Sequence, residues 1–204
     1  GTVYVIGDAS GGGALPAVNA RLEALNSPKR YKNLVGYTFG TGFGVGIVVD
    51  NRLNRGDNSC VETFCLRHKK MPEIIVEEGV AVRAVKRVYG ELANDPNHGL
   101  EPKDICEIAD GKRPGNVEAA RQAFAEMGEI AGDAMATAVT LVDGLIVIGG
   151  GITAARKWIM PSLLKELRSK MHTLSGDELN RVQMKVYDLD DDAEFQEFAK
   201  GSMQ

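Results

Sequence analysis

The chain has 204 residues, of which 44% are hydrophobic and 25% charged, and its formal net charge is −4. This length and composition indicate a folded chain with a real core, in one large domain or two small ones. The acidic balance argues against nucleic-acid binding as the main role. The three cysteines show no CxxC spacing, which argues against a disulfide scaffold or a structural zinc site. We therefore expect reduced thiols and a cytoplasmic protein, and the lack of a long apolar run predicts no membrane partner.

The first predicted elements are a strand over residues 3–6 and a helix over residues 15–25. The apolar run VYVI indicates the strand, and apolar residues recurring at intervals of three and four indicate the helix. Asp8 lies between them, at the end of a strand, where α/β proteins commonly carry reactive groups. Capping the helix is the alternative role of this acid, and the residues alone leave both roles open.

The glycine-rich stretch YTFGTGFGVGIVVDNRLNRG follows a predicted loop. β-forming residues flank Gly40, Thr41 and Gly42, which indicates a strand over residues 34–39 followed by a hairpin, with a second turn at residues 50–52. Glycine lets a ligand approach the main chain closely, and successive amides with the Thr41 hydroxyl suit phosphate oxygens. A glycine-rich hairpin without a ligand is the alternative.

Three polar features of the next segment have ordinary structural explanations. Glu62 lies beside apolar residues and is expected to form a surface salt bridge. The basic run at residues 67–70 is expected to be a solvated turn. Glu77 and Glu78 suit the first turn of a helix that runs to Leu92, because acids are favourable near a helix N-terminus.

The middle of the chain predicts two helices and a buried strand. A short helix covers residues 102–109, and Asn116 is an N-cap candidate for the longest helix, residues 117–142. The small residues of this long helix favour close packing against a neighbour. The apolar run LIVIGGGI, residues 145–152, indicates a buried strand that leads into three glycines.

The last part of the chain predicts a helix whose apolar face extends from Trp158 to Met171. Alternating apolar residues predict a strand over residues 182–189. The acidic residues 190–194 are expected to form a solvated turn before a final short helix. This alternation of strands and helices indicates an α/β fold.

Three segments together resemble the ROK family of sugar kinases and sugar-responsive repressors, which have the ribonuclease H-like, actin-like ATPase fold. VIGDAS is similar to the strand that carries the family's catalytic Asp, GTGFGVGIVVDNRLNRG to its phosphate hairpin, and DGLIVIGGGI to its adenosine-side segment. The resemblance covers most of the chain. It implies an α/β lobe with a mixed β-sheet flanked by helices.

The resemblance also implies a role for each segment. Asp8 would be the general base that takes the proton from a sugar hydroxyl during in-line attack on the γ-phosphate of ATP. The residues that would bind the nucleotide are Gly40, Thr41, Gly42, Gly149, Gly150 and Gly151. Glu62 falls at the acid that binds sugar hydroxyls. For a second sugar-binding acid, Glu73 is the first choice and Glu77 the competitor.

The sequence departs from the family pattern in the sugar pocket. Asp8 follows Gly7 instead of standing between two asparagines, and Glu62 leads into Thr63 rather than Gly-His. The family's His/Cys zinc segment is replaced by LRHKKMPE, and His68 alone cannot complete a tetrahedral site. The expected cofactors are therefore ATP and Mg²⁺, with no structural zinc.

The resemblance implies that residues 1–204 form a single C-terminal ATPase and sugar-binding lobe of a longer two-lobe protein. The N-terminal lobe and the final C-terminal segment would then lie outside the sequence. We expect the isolated chain to be an inactive part of a sugar kinase, a phosphotransferase with an alcohol acceptor. The family habit implies a homodimer that binds a sugar, and nucleic acid only if a regulator domain lies upstream.

Three other functions stay open. A ROK-type regulator lobe would sense a sugar without catalysis, although retention of Asp8 favours the kinase. The run IGGGITAA suggests a dinucleotide-binding oxidoreductase, but the acid expected on the ribose could only be Asp188, which is too far along the chain. A non-catalytic structural lobe is the third alternative. The sequence does not identify the sugar.

Overall fold

The computed structural model describes residues 13–201, without the side chains of residues 152 and 153. Its helices are α1 (Ala14–Ala24), α2 (Val82–Leu92), α3 (Pro102–Ala109), α4 (Val117–Val142), α5 (Arg156–Leu167) and α6 (Asp192–Lys200). Its strands are β1 (Leu34–Phe39), β2 (Phe43–Val49), β3 (Arg52–Leu53), β4 (Leu145–Gly149), β5 (Lys170–His172) and β6 (Glu178–Asn180). Two 3₁₀ turns lie at Val76–Gly79 and Gly151–Ala155. The predicted strand at residues 3–6, and Asp8 with it, lie outside the described residues.

The main sheet has the strand order β3-β2-β1-β4. β1 pairs with β2 antiparallel and with β4 parallel, so the sheet is mixed. Asp50 and Asn51 connect β2 to β3 with φ angles of 50° and 62°, the left-handed values that a two-residue hairpin turn requires. The structure thus confirms the predicted mixed sheet flanked by helices and the glycine-rich hairpin within it.

The two faces of the sheet belong to different layers of the core, because successive side chains of a strand point to opposite faces. Val35, Tyr37 and Phe39 of β1 join the large core built with α2, α3, α4 and α5. Leu34 of β1 and Val147 of β4 join a second cluster with α1 and α6. The sheet is therefore covered by helices on both sides.

The longest helix, α4, begins and ends at the predicted residues. The Asn116 side chain accepts a hydrogen bond from the amide of Ala119 at 3.0 Å, which confirms it as the N-cap. A Cβ added at Gly128 would lie 2.3 Å from the carbonyl oxygen of Ile159. Glycine therefore lets α4 and α5 pack backbone against backbone, as the small residues of α4 predict.

The predicted strand over residues 182–189 is wrong. That segment is irregular, although Val182, Val186 and Leu189 are buried and explain the apolar alternation. The short hairpin of β5 and β6 precedes it instead. The predicted helix face that extends to Met171 is also wrong, because α5 ends at Leu167 and Met171 lies 52% exposed in β5.

Both predicted turns are largely solvated, with residues 67, 69, 70 and 190–192 exposed, but each also makes specific contacts. His68 in the basic run is only 2% exposed, and its Nδ1 accepts hydrogen bonds from the amides of Lys70 and Met71. Burial lowers the pKa of His68. In the acidic turn, the Arg156 guanidinium pairs with Asp188 and Asp190, each at 2.8 Å. Both turns therefore hold the chain to its neighbours through specific contacts.

Candidate functional site

The two predicted nucleotide-binding glycine segments meet at one edge of the sheet. β1 and β4 are parallel neighbours with Thr38 opposite Gly149, so the loops that follow them leave the sheet side by side. Gly150 has a φ of 105°, and a Cβ there would lie 2.3 Å from the carbonyl oxygen of Phe39. Only glycine permits this approach between the strand end and the second loop.

The glycine loop, residues 40–42, is tied to α2 by its carbonyl groups. The Gly40 carbonyl accepts a hydrogen bond from the Val82 amide at 2.9 Å, and the Thr41 carbonyl accepts one from Arg83 Nη1 at 3.2 Å. In a trans peptide the N–H points opposite to the C=O. The amides of Thr41 and Gly42 therefore point away from α2.

These two amides are available to a ligand. Within the described part of the chain, neither the Thr41 nor the Gly42 amide donates a hydrogen bond. A Cβ added at Gly40 would meet nothing within 4 Å, and Gly40 does not have a positive φ. The fold itself does not require glycine at this position, which leaves close approach by a ligand as a reason for it. The arrangement suits an anion such as a phosphate group.

A carboxylate closes the other end of the loop. Glu77 Oε2 accepts the Phe43 amide at 2.9 Å, and Oε1 accepts Arg83 Nη2 at 2.9 Å. Arg83 also contacts Glu78 Oε1 at 2.6 Å. The Phe43 N–H, and then Arg83, hold the pKa of Glu77 below its usual range. Glu77 and Glu78 lie in the first turn of the 3₁₀ helix Val76–Gly79, as acids near a helix start are expected to, but the predicted single helix to Leu92 is divided because α2 begins only at Val82.

Aromatic packing fixes the two strands that carry the loop. Phe43 stacks on Tyr37 with ring centroids 4.9 Å apart and meets the edge of Phe39 at 5.5 Å. Burial raises the pKa of Tyr37 to about 12, with the Thr63 hydroxyl beside it acting in the opposite direction. Both ends of the loop are therefore anchored in the core.

The predicted sugar-binding acids lie in different surroundings. Glu62 is exposed and lines a cavity of about 470 Å³ against the sheet face, with Thr38 and Gly44 among its other walls. Within the described residues Glu62 forms no salt bridge, contrary to the simple expectation. Glu73 is exposed and has no hydrogen bond or ion pair in the same part of the chain, whereas Glu77 contacts the loop. Asp8 lies outside the described residues, so its role as base stays a prediction.

Arg83 is the residue at this site that the sequence predictions missed. It follows two acids and falls in the first turn of α2, where a cation is unfavourable. The start of α2 at Val82 is seen only in the structure, so the sequence offered no signal for this residue. No group of three or more metal-ligating side chains occurs among residues 13–201. In the same range, no helix is long and apolar enough to cross a membrane.

Comparison with known proteins places these features in a family. The ROK family model matches residues 19–194. The glucokinase of Parabacteroides distasonis is 51% identical over 92% of this chain, with a TM-score of 0.81. The match covers 50% of the glucokinase, so the chain spans about half the length of that relative. No curated protein matches the chain significantly.

More distant structures share the fold. One is a ROK family glucokinase from Streptomyces griseus in complex with glucose and AMPPNP, which is 22% identical with a TM-score of 0.55. The match covers 80% of this chain and 57% of the glucokinase. Another is a ROK family transcriptional regulator, a homologue of the E. coli MLC protein, which is 20% identical with a TM-score of 0.57. The match covers 74% of this chain and 41% of the regulator. These matches confirm the actin-like ATPase fold predicted from the sequence.

Proposed function

Because the chain belongs to the ROK family, we propose that it is the C-terminal, nucleotide- and sugar-binding lobe of an ATP-dependent sugar kinase. The similarity to a glucokinase at 51% identity supports this activity and makes glucose the first sugar to test. The observation that carries the proposal is the pair of unpartnered amides at Thr41 and Gly42, beside a Gly40 that the fold does not require.

In this proposal the glycine loop binds the phosphates of ATP. The Thr41 and Gly42 amides, with the Thr41 hydroxyl, donate hydrogen bonds to phosphate oxygens, where negative charge builds up during transfer. The second glycine segment, residues 149–151, lies beside the loop and leaves room for the adenosine part. We expect the nucleotide to bind with Mg²⁺, which neutralises charge on the β- and γ-phosphates.

The sugar would be activated and held by carboxylates. Asp8 is proposed to accept the proton of a sugar hydroxyl while that oxygen bonds to the γ-phosphorus and the bond to the β–γ bridging oxygen breaks, releasing ADP. Glu62, in its cavity on the sheet face, is proposed to bind other hydroxyls of the sugar. The contact of Glu77 with the loop favours it over Glu73 as the second acid.

The test is a phosphorylation assay on the full-length protein that contains this chain. Glucose, other hexoses and amino sugars are each supplied with ATP and Mg²⁺, and ADP release is followed. Asp8→Asn should lower kcat by about two to four powers of ten with the true sugar, the usual contribution of a general base. The matched control is Asp192→Asn, whose side chain is 97% exposed, and it should keep full activity. Folded protein that phosphorylates none of these sugars would refute the kinase.

A sugar-responsive regulator is the second candidate, because a ROK transcriptional regulator shares the fold. A helix-turn-helix upstream of this chain would favour the regulator, and a glycine-rich hairpin there would favour the kinase. We also propose that the full-length protein is a cytoplasmic homodimer. Analytical sedimentation of the full-length protein tests this assembly state. Sugar phosphorylation by the purified 204-residue chain would contradict the proposal that this lobe is inactive alone.

A further inference from the structure

We propose that Arg83 is a positioning residue, which orients the glycine loop so that its amides face the nucleotide phosphates. This inference rests on the proposed function, because it assigns a role within the same phosphate site. Arg83 lies in the first turn of α2, and its side chain is 45% exposed.

The position of Arg83 is not explained by the stability of its own helix. The N-terminus of a helix carries partial positive charge, so a guanidinium in the first turn is repelled there. By contrast Arg87, one turn later, forms an ordinary exposed pair with Glu91 at 3.2 Å. A reason for Arg83 must therefore come from what it contacts outside α2.

Three of those contacts are hydrogen bonds to Glu78, and the other two lead to the loop. Nη1 donates to the Thr41 carbonyl at 3.2 Å, and Nη2 donates to Glu77 Oε1 at 2.9 Å. The other oxygen of Glu77 holds the Phe43 amide. One planar guanidinium therefore fixes the loop at two places, directly at Thr41 and through Glu77 at Phe43.

The direct contact sets the direction of an amide. Since the Thr41 carbonyl points to Arg83, the Gly42 amide of the same peptide points away from it. The Val82 amide holds the Gly40 carbonyl in the same way, which turns the Thr41 amide outward. Loss of Arg83 would leave the peptide between Thr41 and Gly42 free to rotate, and the Gly42 N–H would no longer be held pointing toward the phosphates.

Arg83 also changes the local charge. Glu77 places a carboxylate at a loop that is proposed to bind an anion, Glu78 follows it in the chain, and Arg83 contacts both. Without Arg83 these carboxylates would repel the phosphates. Charge and position can be separated, because lysine keeps the charge but lacks the planar fork of donors.

The experiment compares Arg83→Ala and Arg83→Lys with Arg87→Ala, the matched control on the same helix, all in the full-length protein. ATP binding is measured by calorimetry, and KM for ATP, KM for the sugar and kcat are measured separately. Circular dichroism and the thermal midpoint establish that each variant is folded. We expect both Arg83 variants to weaken ATP binding about tenfold to a hundredfold, the scale of a misplaced binding group. Arg87→Ala should match the wild type.

Each outcome decides a different claim. If the wild type binds no ATP, the proposed function fails before any variant is considered. If the wild type binds ATP and Arg83→Ala binds it equally well, the role of Arg83 is overturned. If Arg83→Lys restores full affinity, the effect is one of charge and the positioning role is overturned. If Arg83→Ala does not fold, Arg83→Lys, which keeps the aliphatic stem and the charge, decides the question.

Discussion

Alanine at Gly150 would place a methyl group between the two loops of the candidate nucleotide site. The φ of Gly150 is 105°, and its Cβ would lie 2.3 Å from the Phe39 carbonyl oxygen and 2.8 Å from the Phe39 amide nitrogen. The structure supplies a matched control in the next residue. A Cβ at Gly151 would meet nothing within 4 Å, and Gly151 does not have a positive φ.

The cost of Gly150→Ala has two parts. A left-handed backbone costs a residue with a Cβ about 1–2 kcal/mol. The methyl group also forces β1 and the second loop apart, and such overpacking costs about 1–3 kcal/mol. The free energy of unfolding should therefore fall by about 2–5 kcal/mol, a large share of the roughly 5–15 kcal/mol of a typical domain. Gly151→Ala meets neither penalty and should stay within about 0.5 kcal/mol of the wild type.

Urea unfolding followed by circular dichroism measures the difference, with the free energy taken from the midpoint and the slope. Gly150→Ala should unfold at a clearly lower urea concentration than Gly151→Ala. Equal midpoints for the two variants would show that the glycine segments do not touch as the structure has them. They would also remove the reason for placing both segments in one site.

Three further predictions concern separate parts of the chain. Gly40→Ala should leave the urea midpoint unchanged, because the added Cβ meets no atom within 4 Å. The same variant should raise KM for ATP. An unchanged KM would mean that no ligand approaches Gly40. Burial lowers the folded pKa of His68, so the unfolded chain takes up the proton first. Stability is then complete above the unfolded pKa of about 6.5 and falls as the pH drops below it. As the pH falls below about 6.5, the urea midpoint should decrease more in the wild type than in His68→Gln. Equal decreases in the two proteins would contradict this prediction. Lys69→Ala should lower the free energy of unfolding by about 1–3 kcal/mol, because it removes the ion-pair partner of the buried Glu166 carboxylate, 2.7 Å away. The control Lys200→Ala, at an exposed lysine, should leave the free energy of unfolding almost unchanged. Equal urea midpoints for the two variants would count against the pairing.

The bounds of α3 and α4 were predictable, because their start signals are local. Pro102 opens α3 and Asn116 caps α4, and both helices have the predicted bounds. Asp143 ends α4 in a left-handed conformation with a φ of 48°. The sequence does not predict this conformation. The glycine segments were also visible in the sequence. Their direct contact was not, since it depends on the parallel pairing of β1 with β4.

The wrong predictions have distant causes in two cases and a local cause in one. Residues 182–189 alternate like a strand, but a strand also needs a neighbour for its backbone, and Arg168 binds the Val186 carbonyl instead. Helix α5 stops before Met171, where the Ser169 hydroxyl binds the Glu166 carbonyl at 2.6 Å and competes with the helix. Arg83 was missed because its importance comes from Thr41, far from it in the chain.

The ties between the glycine loop and α2 have a consequence for which substitutions the protein can tolerate. Val85 and Val88 are buried in the core where α2 packs against α4, so they set the position of α2. A change of volume at either residue would shift both loop carbonyls together, although neither residue lies at the loop. Under the proposed function, such a change would lower nucleotide affinity as well as stability. Glu62 is exposed and has no salt bridge within the described residues, so substitutions there are expected to leave the position of the loop unchanged.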